Sequence, residues 1–149
     1  MRALVQRVLS ASVDIGGRET AGIGRGALVL LGVASGDAAA DAGWLAGKVS
    51  RLRIFDDGQG RMSLPIADIG GSFLVVSQFT LLADCRKGNR PSYLEAAAPE
   101  KAVPLYEEFV RLLRGLGHDV QTGVFRESMQ IRSINDGPVT ILVDTPPAA

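Results

Sequence analysis

The sequence predicts an α+β fold in which a curved, barrel-like β-sheet carries two outer helices. Three observations lead there. The runs Ala27-Leu28-Val29-Leu30-Leu31 and Phe73-Leu74-Val75-Val76 have no polar alternation and read as strands covered on both faces. Segments 38–52 and 99–116 repeat apolar residues at helical spacing, and short glycine-punctuated β stretches occupy both ends of the chain.

Taken in order, residues 3–8 and 12–15 read as two strands, and Gly16-Gly17 turns the second into a hairpin with residues 19–23. The apolar run 27–33 follows as a central strand. Asp37 offers an N-cap for the first helix, with Trp44, Leu45, Val49 and Leu52 on its buried face. Asp56-Asp57-Gly58-Gln59-Gly60 is a turn, and 62–66 holds only short, irregular strand. The second apolar strand, 73–76, runs straight into Ser77-Gln78-Phe79-Thr80-Leu81. A polar, basic stretch 82–91 leads to the second helix, whose buried face is Val103, Leu105, Tyr106, Phe109, Leu112 and Leu113. Strands near 120–122, 129–133 and 139–144 complete the sheet, and residues 146–149 form a fraying tail. Asn135-Asp136-Gly137-Pro138 is a turn signal set directly against the last strand, where proline has no N–H to give a ladder.

Composition narrows the function classes. A chain of 149 residues reads as one domain, 1–149, with enough surface to bury a core unaided by metal or disulfide. Its formal net charge of +0 gives no general pull towards a nucleic-acid backbone, so any RNA contact is local. The single cysteine, Cys85, and a start without a long apolar run predict a cytoplasmic protein. No apolar stretch approaches the roughly 20 residues that span a bilayer. No dinucleotide or phosphate-loop glycine motif is present, so no cofactor is expected. One histidine and one cysteine argue against a zinc site, and Asp14, Asp136 and Asp144 have no spacing that defines an acid–base pair.

Chemistry is concentrated in two places. Ser77, Gln78 and Thr80 bring two hydroxyls and an amide to the end of a buried strand, where backbone N–H groups can bind a ligand carbonyl or oxyanion. Ordinary capping of a strand end is the structural alternative. Arg86-Lys87-Gly88-Asn89-Arg90 suits one phosphate group or a solvated loop. Cys85 with His118 as a nucleophile pair is a weaker reading.

Taken together, Ser77-Gln78-Phe79-Thr80-Leu81 and Asn135-Asp136-Gly137-Pro138-Val139-Thr140 resemble the two signature motifs of the D-aminoacyl-tRNA deacylases. The likeness extends to Gln6-Arg7-Val8, Arg53-Ile54-Phe55, the segment 86–92 and Thr122-Gly123-Val124-Phe125. It implies the fold of that family and an enzyme that hydrolyses the ester joining a D-amino acid, or mischarged glycine, to the 3′ end of tRNA. It also implies a homodimer with no DNA partner in its primary role, in which a cis Gly137-Pro138 peptide reaches the neighbouring subunit's site and excludes L-side chains. Ser77, Gln78, Phe79 and Thr80 would form the ester site, Met129 would line the adenosine pocket, and Arg7 and Asn135 would support the loop. Two routes stay open for attack: Thr80 as nucleophile, or water helped by the terminal ribose 2′-hydroxyl. The rival readings are a deacylase with a trans Gly-Pro acting on small L-aminoacyl esters, and a non-catalytic RNA-end-binding module. One departure stands out: where the family has two small residues and an acid, this chain has Arg126-Glu127-Ser128.

Overall fold

β1 (Arg2–Ile15) organises the sheet because it has a partner along each edge. In the computed structural model, which describes residues 1–147, residues 2–8 of β1 pair antiparallel with β3 (Gly26–Gly32) and residues 11–15 with β2 (Arg18–Ile23). Its other edge pairs antiparallel with β8 (Gln130–Asp144) over nearly its whole length. β3, β6 (Ser72–Ser77) and β7 (Val120–Thr122) then continue the six-stranded sheet in parallel. Parallel neighbours need crossover connections. α1 (Ala39–Ser50) lies in the first crossover and α2 (Pro99–Gly115) in the second, and the two helices pack against each other. β4 (Phe55–Asp56) and β5 (Met62–Leu64) make a small separate ladder.

The apolar runs are explained by two cores. Val29, Leu31, Phe73 and Val75 meet the helices through Leu45, Val49, Tyr106, Phe109 and Leu113. Leu28, Leu74 and Val76 point the other way and pack inside the curved sheet with Val8, Ala11, Val13 and Ile23. Neither face of β3 or β6 is left for water, so alternation disappears. The sheet is the mixed, barrel-like α+β arrangement that the sequence predicts.

Four expectations change. The segments 3–8 and 12–15 form one strand, with Leu9 an extra residue against β8: Val8 faces Asn135 while Ser10 faces Ile134. A bulge of one residue reverses the side-chain alternation, which is why Ala3 and Val5 face the helices whereas Ala11 and Val13 face the inner core. The segments 129–133 and 139–144 likewise belong to one strand, because both flanks of the Asn-Asp-Gly-Pro signal pair with β1. Asp37 does not cap α1; its Oδ2 accepts from the Ala34 N–H at 2.5 Å and its Oδ1 from the Met1 ammonium at 2.6 Å, and Asp41 serves the Ala38 N–H instead. Trp44 is 39% exposed beneath Lys48, since Ala42 and Ala46 are the buried small residues of that helix. Of the predicted tail, Pro146 and Pro147 carry no regular structure, and Ala148 and Ala149 lie outside the described residues.

Candidate active site

β6 ends at Ser77, and the Gln78 N–H still reaches back to the Leu31 carbonyl at 2.8 Å before the chain curls into a 3₁₀ turn, Phe79–Leu82. That turn lies over Gly32, where a Cβ would stand 3.2 Å from the Gln78 carbonyl and 3.4 Å from Leu81. The curl also leaves backbone donors free. Among the described residues, neither the Phe79 nor the Thr80 N–H finds a protein acceptor, as the opening residues of a helical turn have none within it. The Gln78 amide donates to the Thr80 hydroxyl.

A cavity of about 620 Å³ opens beside this turn. Ser77, Gln78 and Phe79 contribute its polar lining from this turn, Val33, Val76, Ala97 and Ala102 are among its apolar lining, and Phe125, Arg126, Glu127, Met129 and Ile131 complete the wall. Phe79 is 54% exposed and meets Tyr93 edge to face, with ring centres 5.1 Å apart. Tyr93 is a lining residue that sequence reasoning passed over; its signal is an aromatic directly after the basic loop. Behind the wall, the Tyr106 hydroxyl donates to the Val75 carbonyl at 2.8 Å, and burial pushes its pKa up to about 12. It is therefore a fixed donor that ties α2 to β6.

The second motif is built differently. Arg7 of β1 faces an excursion of β8: Gln6 pairs with Thr140 and Val8 with Asn135, so one residue stands opposite four, Asp136 to Val139. Arg7 is buried, 6% exposed, and spends its donors on this region. Its Nε lies 3.2 Å from the Asp136 carbonyl and 3.1 Å from Asp136 Oδ2, while Nη1 reaches the Ile54 carbonyl at 2.9 Å and Asp56 Oδ1 at 3.2 Å. Asn135 closes the loop from within. Its Oδ1 accepts from the Val139 N–H at 3.1 Å and its Nδ2 donates to the Thr140 hydroxyl at 3.0 Å. Gly137 has φ +122, and a Cβ there would sit 2.8 Å from Val139 Cγ2 and 3.1 Å from Arg7 Nη2, so the position requires glycine on two counts. The Gly137-Pro138 peptide is cis, and both residues are exposed.

The structure thus gathers Ser77, Gln78, Phe79 and Met129 around one cavity. Thr80 is adjacent, bonded to Gln78, but is not part of the lining. Arg7, Asn135, Gly137 and Pro138 form a second unit that does not line the same chain's cavity. Cys85 and His118 belong to different regions: Cys85 is exposed in the loop after β6, whereas His118 stacks edge-on to Phe73 and meets Ser50 Oγ at 2.6 Å. In the basic loop, Arg86 is committed to Asp84 through two bonds of 2.8 and 2.6 Å, which hold that carboxyl down to about 2. Among the described residues no group of three or more His, Cys, Asp or Glu is placed to hold a metal ion.

Residues 4–144 match the family model described as D-Tyr-tRNA(Tyr) deacylase. The chain belongs to this family. It is 57% identical to the D-aminoacyl-tRNA deacylase of Anaeromyxobacter dehalogenans (strain 2CP-C), covering 97% of each chain. Over the same share of each chain it is 54% identical to the deacylase of Thermotoga petrophila (strain ATCC BAA-488 / DSM 13995 / JCM 10881 / RKU-1). Among solved structures, the c-Myc DNA Unwinding Element Binding Protein superposes with a TM-score of 0.93 at 39% identity, covering 98% of this chain and 99% of that one. A probable eukaryotic D-amino acid tRNA deacylase shares the fold, with a TM-score of 0.82 at 17% identity over 95% and 97% of the two chains. As a D-aminoacyl-tRNA deacylase the chain is a hydrolase of the carboxylic ester of aminoacyl-tRNA.

Proposed function

We propose that this deacylase removes D-amino acids, and glycine mischarged on noncognate tRNA, as a cytoplasmic homodimer in which Gly137-Pro138 of one protomer screens the cavity of the other. One observation carries the reading: the cavity's polar end is uncharged and rich in backbone donors, while the Gly137-Pro138 loop is held firmly yet stands outside its own chain's cavity. The edge that would bring in a partner is exposed. Among the described residues β8, a 15-residue strand, is bonded only to β1, with Ile134 56% and Leu142 53% exposed. Such an edge needs covering.

In this reading the ester carbonyl lies against the Phe79 and Thr80 N–H groups, which stabilise the oxyanion as it forms. Water adds to the carbonyl carbon, the carbon–oxygen bond to the ribose 3′ position breaks, and the proton passes to the leaving 3′ oxygen, with the neighbouring 2′-hydroxyl held in position to help. Thr80 is a poor nucleophile. The bond on its hydroxyl comes from the Gln78 amide, a donor that takes up no proton. The Gly137 and Pro138 carbonyls leave room for hydrogen where an L-side chain would project, so D-esters and glycine pass.

Single-turnover hydrolysis of matched D-Tyr-tRNA and L-Tyr-tRNA tests the proposal. The D-ester is expected to be cleaved and the L-ester spared, with Thr80→Ala retaining most of the rate; a collapse of about a thousandfold in that variant would make Thr80 the nucleophile. Cleavage of L-Ala-tRNA would favour the reading with specificity for small L-esters, and binding of tRNA ends without turnover would favour a non-catalytic module. Sedimentation of the purified chain as a monomer would remove the cross-subunit screen.

A further inference from the structure

The charged residues lining the cavity are two neighbours, Arg126 and Glu127; every other lining side chain is neutral. They sit on a turn closed by the Glu127 N–H to the Val124 carbonyl at 3.3 Å. Arg126 takes φ +68 there, the only positive φ of a non-glycine residue among the described residues. That conformation favours glycine. A long cation therefore occupies a position where backbone preference argues against it. Its recorded ion pair is weak as well, 3.9 Å to Glu100 Oε1, with the two side chains 67% and 81% exposed. The guanidinium is free to turn to an incoming anion.

We propose that Arg126 binds the 5′-phosphate of the terminal adenosine whose 3′-ester is hydrolysed. The inference rests on the deacylase reading of this cavity. In that reading the ester meets the free N–H groups of Phe79 and Thr80, and the nearest anionic group of the substrate is the phosphodiester on the 5′ side of the same ribose. Phe125, Arg126 and Glu127 of the turn line the same cavity. Arg126 is the cation on that lining, and its planar fork suits two phosphate oxygens. The basic loop is a poorer candidate, since none of residues 86–90 lines this cavity and Arg86 is paired with Asp84. Arg126 is a substrate-positioning residue with no part in bond breaking.

Two small esters isolate the contact: 3′-O-D-tyrosyl-adenosine and the same ester bearing a 5′-phosphate. Wild type is expected to show the lower KM for the phosphorylated ester, and Arg126→Gly to raise that KM about threefold to tenfold more than it raises the KM of the unphosphorylated ester. Glycine suits the backbone angle, so this variant keeps the fold. With D-Tyr-tRNA, the slope of log KM against log salt should fall by about 0.7 in the variant, as expected for one lost phosphate contact on a single strand. Arg126→Lys should recover part of both effects. Equal KM changes on the two esters, or an unaltered salt slope, would overturn the inference while leaving the deacylase reading intact; a wild type that cleaves none of the esters would overturn both.

Discussion

The cavity beside Ser77 rests on strands whose side chains are buried on both faces, whereas the loop carrying Gly137-Pro138 hangs from an edge strand and is fixed by polar bonds. The first region takes its shape from the packing of β3, β6 and two helices, so many side chains share the task. The second depends on one buried cation, Arg7, and one amide, Asn135. A distributed site tolerates single changes; a site hung on two residues does not.

The sharpest way to break the contrast is Arg7→Met. It leaves the Ile54 and Asp136 carbonyls without their charged donor, a loss of about 1.5–3 kcal/mol for each such hydrogen bond, readable in urea unfolding, while the two carboxylates it frees are partly exposed to water. If the loop is the stereochemical screen, L-Tyr-tRNA hydrolysis rises in the folded fraction of the same variant. Asn135→Ala should cost about 1–2 kcal/mol by freeing the Val139 N–H, and should relax selectivity more than it lowers stability. Next comes Tyr106→Phe on the cavity side. The Val75 carbonyl loses its side-chain donor but keeps the Gly123 N–H at 3.1 Å, so the cost is about 0.5–1.5 kcal/mol, and D-selectivity should not change, because the loop is untouched.

The smallest effect concerns pH. Burial lowers the pKa of His118 from its ordinary 6.5, so the unfolded chain binds the proton more readily than the folded one. Stability then falls as pH drops through 6.5 towards the folded value. His118→Gln should flatten that part of a stability profile without altering D-ester turnover, since Ser50 and His118 lie away from the cavity.

Much of this was legible in the sequence, for local reasons. The apolar runs of β3 and β6, the Gly16-Gly17 hairpin and the periods of α1 and α2 each have their cause within a few residues. What was not legible depends on distant partners. Nothing near Leu9 shows that β1 exchanges β3 for β2 while keeping β8, and nothing within Asn135-Asp136-Gly137-Pro138 shows that both flanks rejoin one strand. Asp37 reads as a cap until the Ala34 N–H and the Met1 ammonium are found to claim it. For the site, the polar end of β6 was evident from a cluster of unlike residues after an apolar strand. Tyr93 was not, because only folding brings it against Phe79.

The pairing opposite Arg7 also has a bearing on how this protein can vary. Because one residue of β1 spans four of β8, the ladder below the loop and the ladder above it are registered independently by their own hydrogen bonds. A residue added or lost between Asp136 and Val139 would be absorbed as slack, shifting neither the alternation at Ile131 to Ile134 nor that at Thr140 to Val143. The two ladders stay in step whatever the segment's length, while Arg7, Asn135 and Gly137 fix the conformation within it.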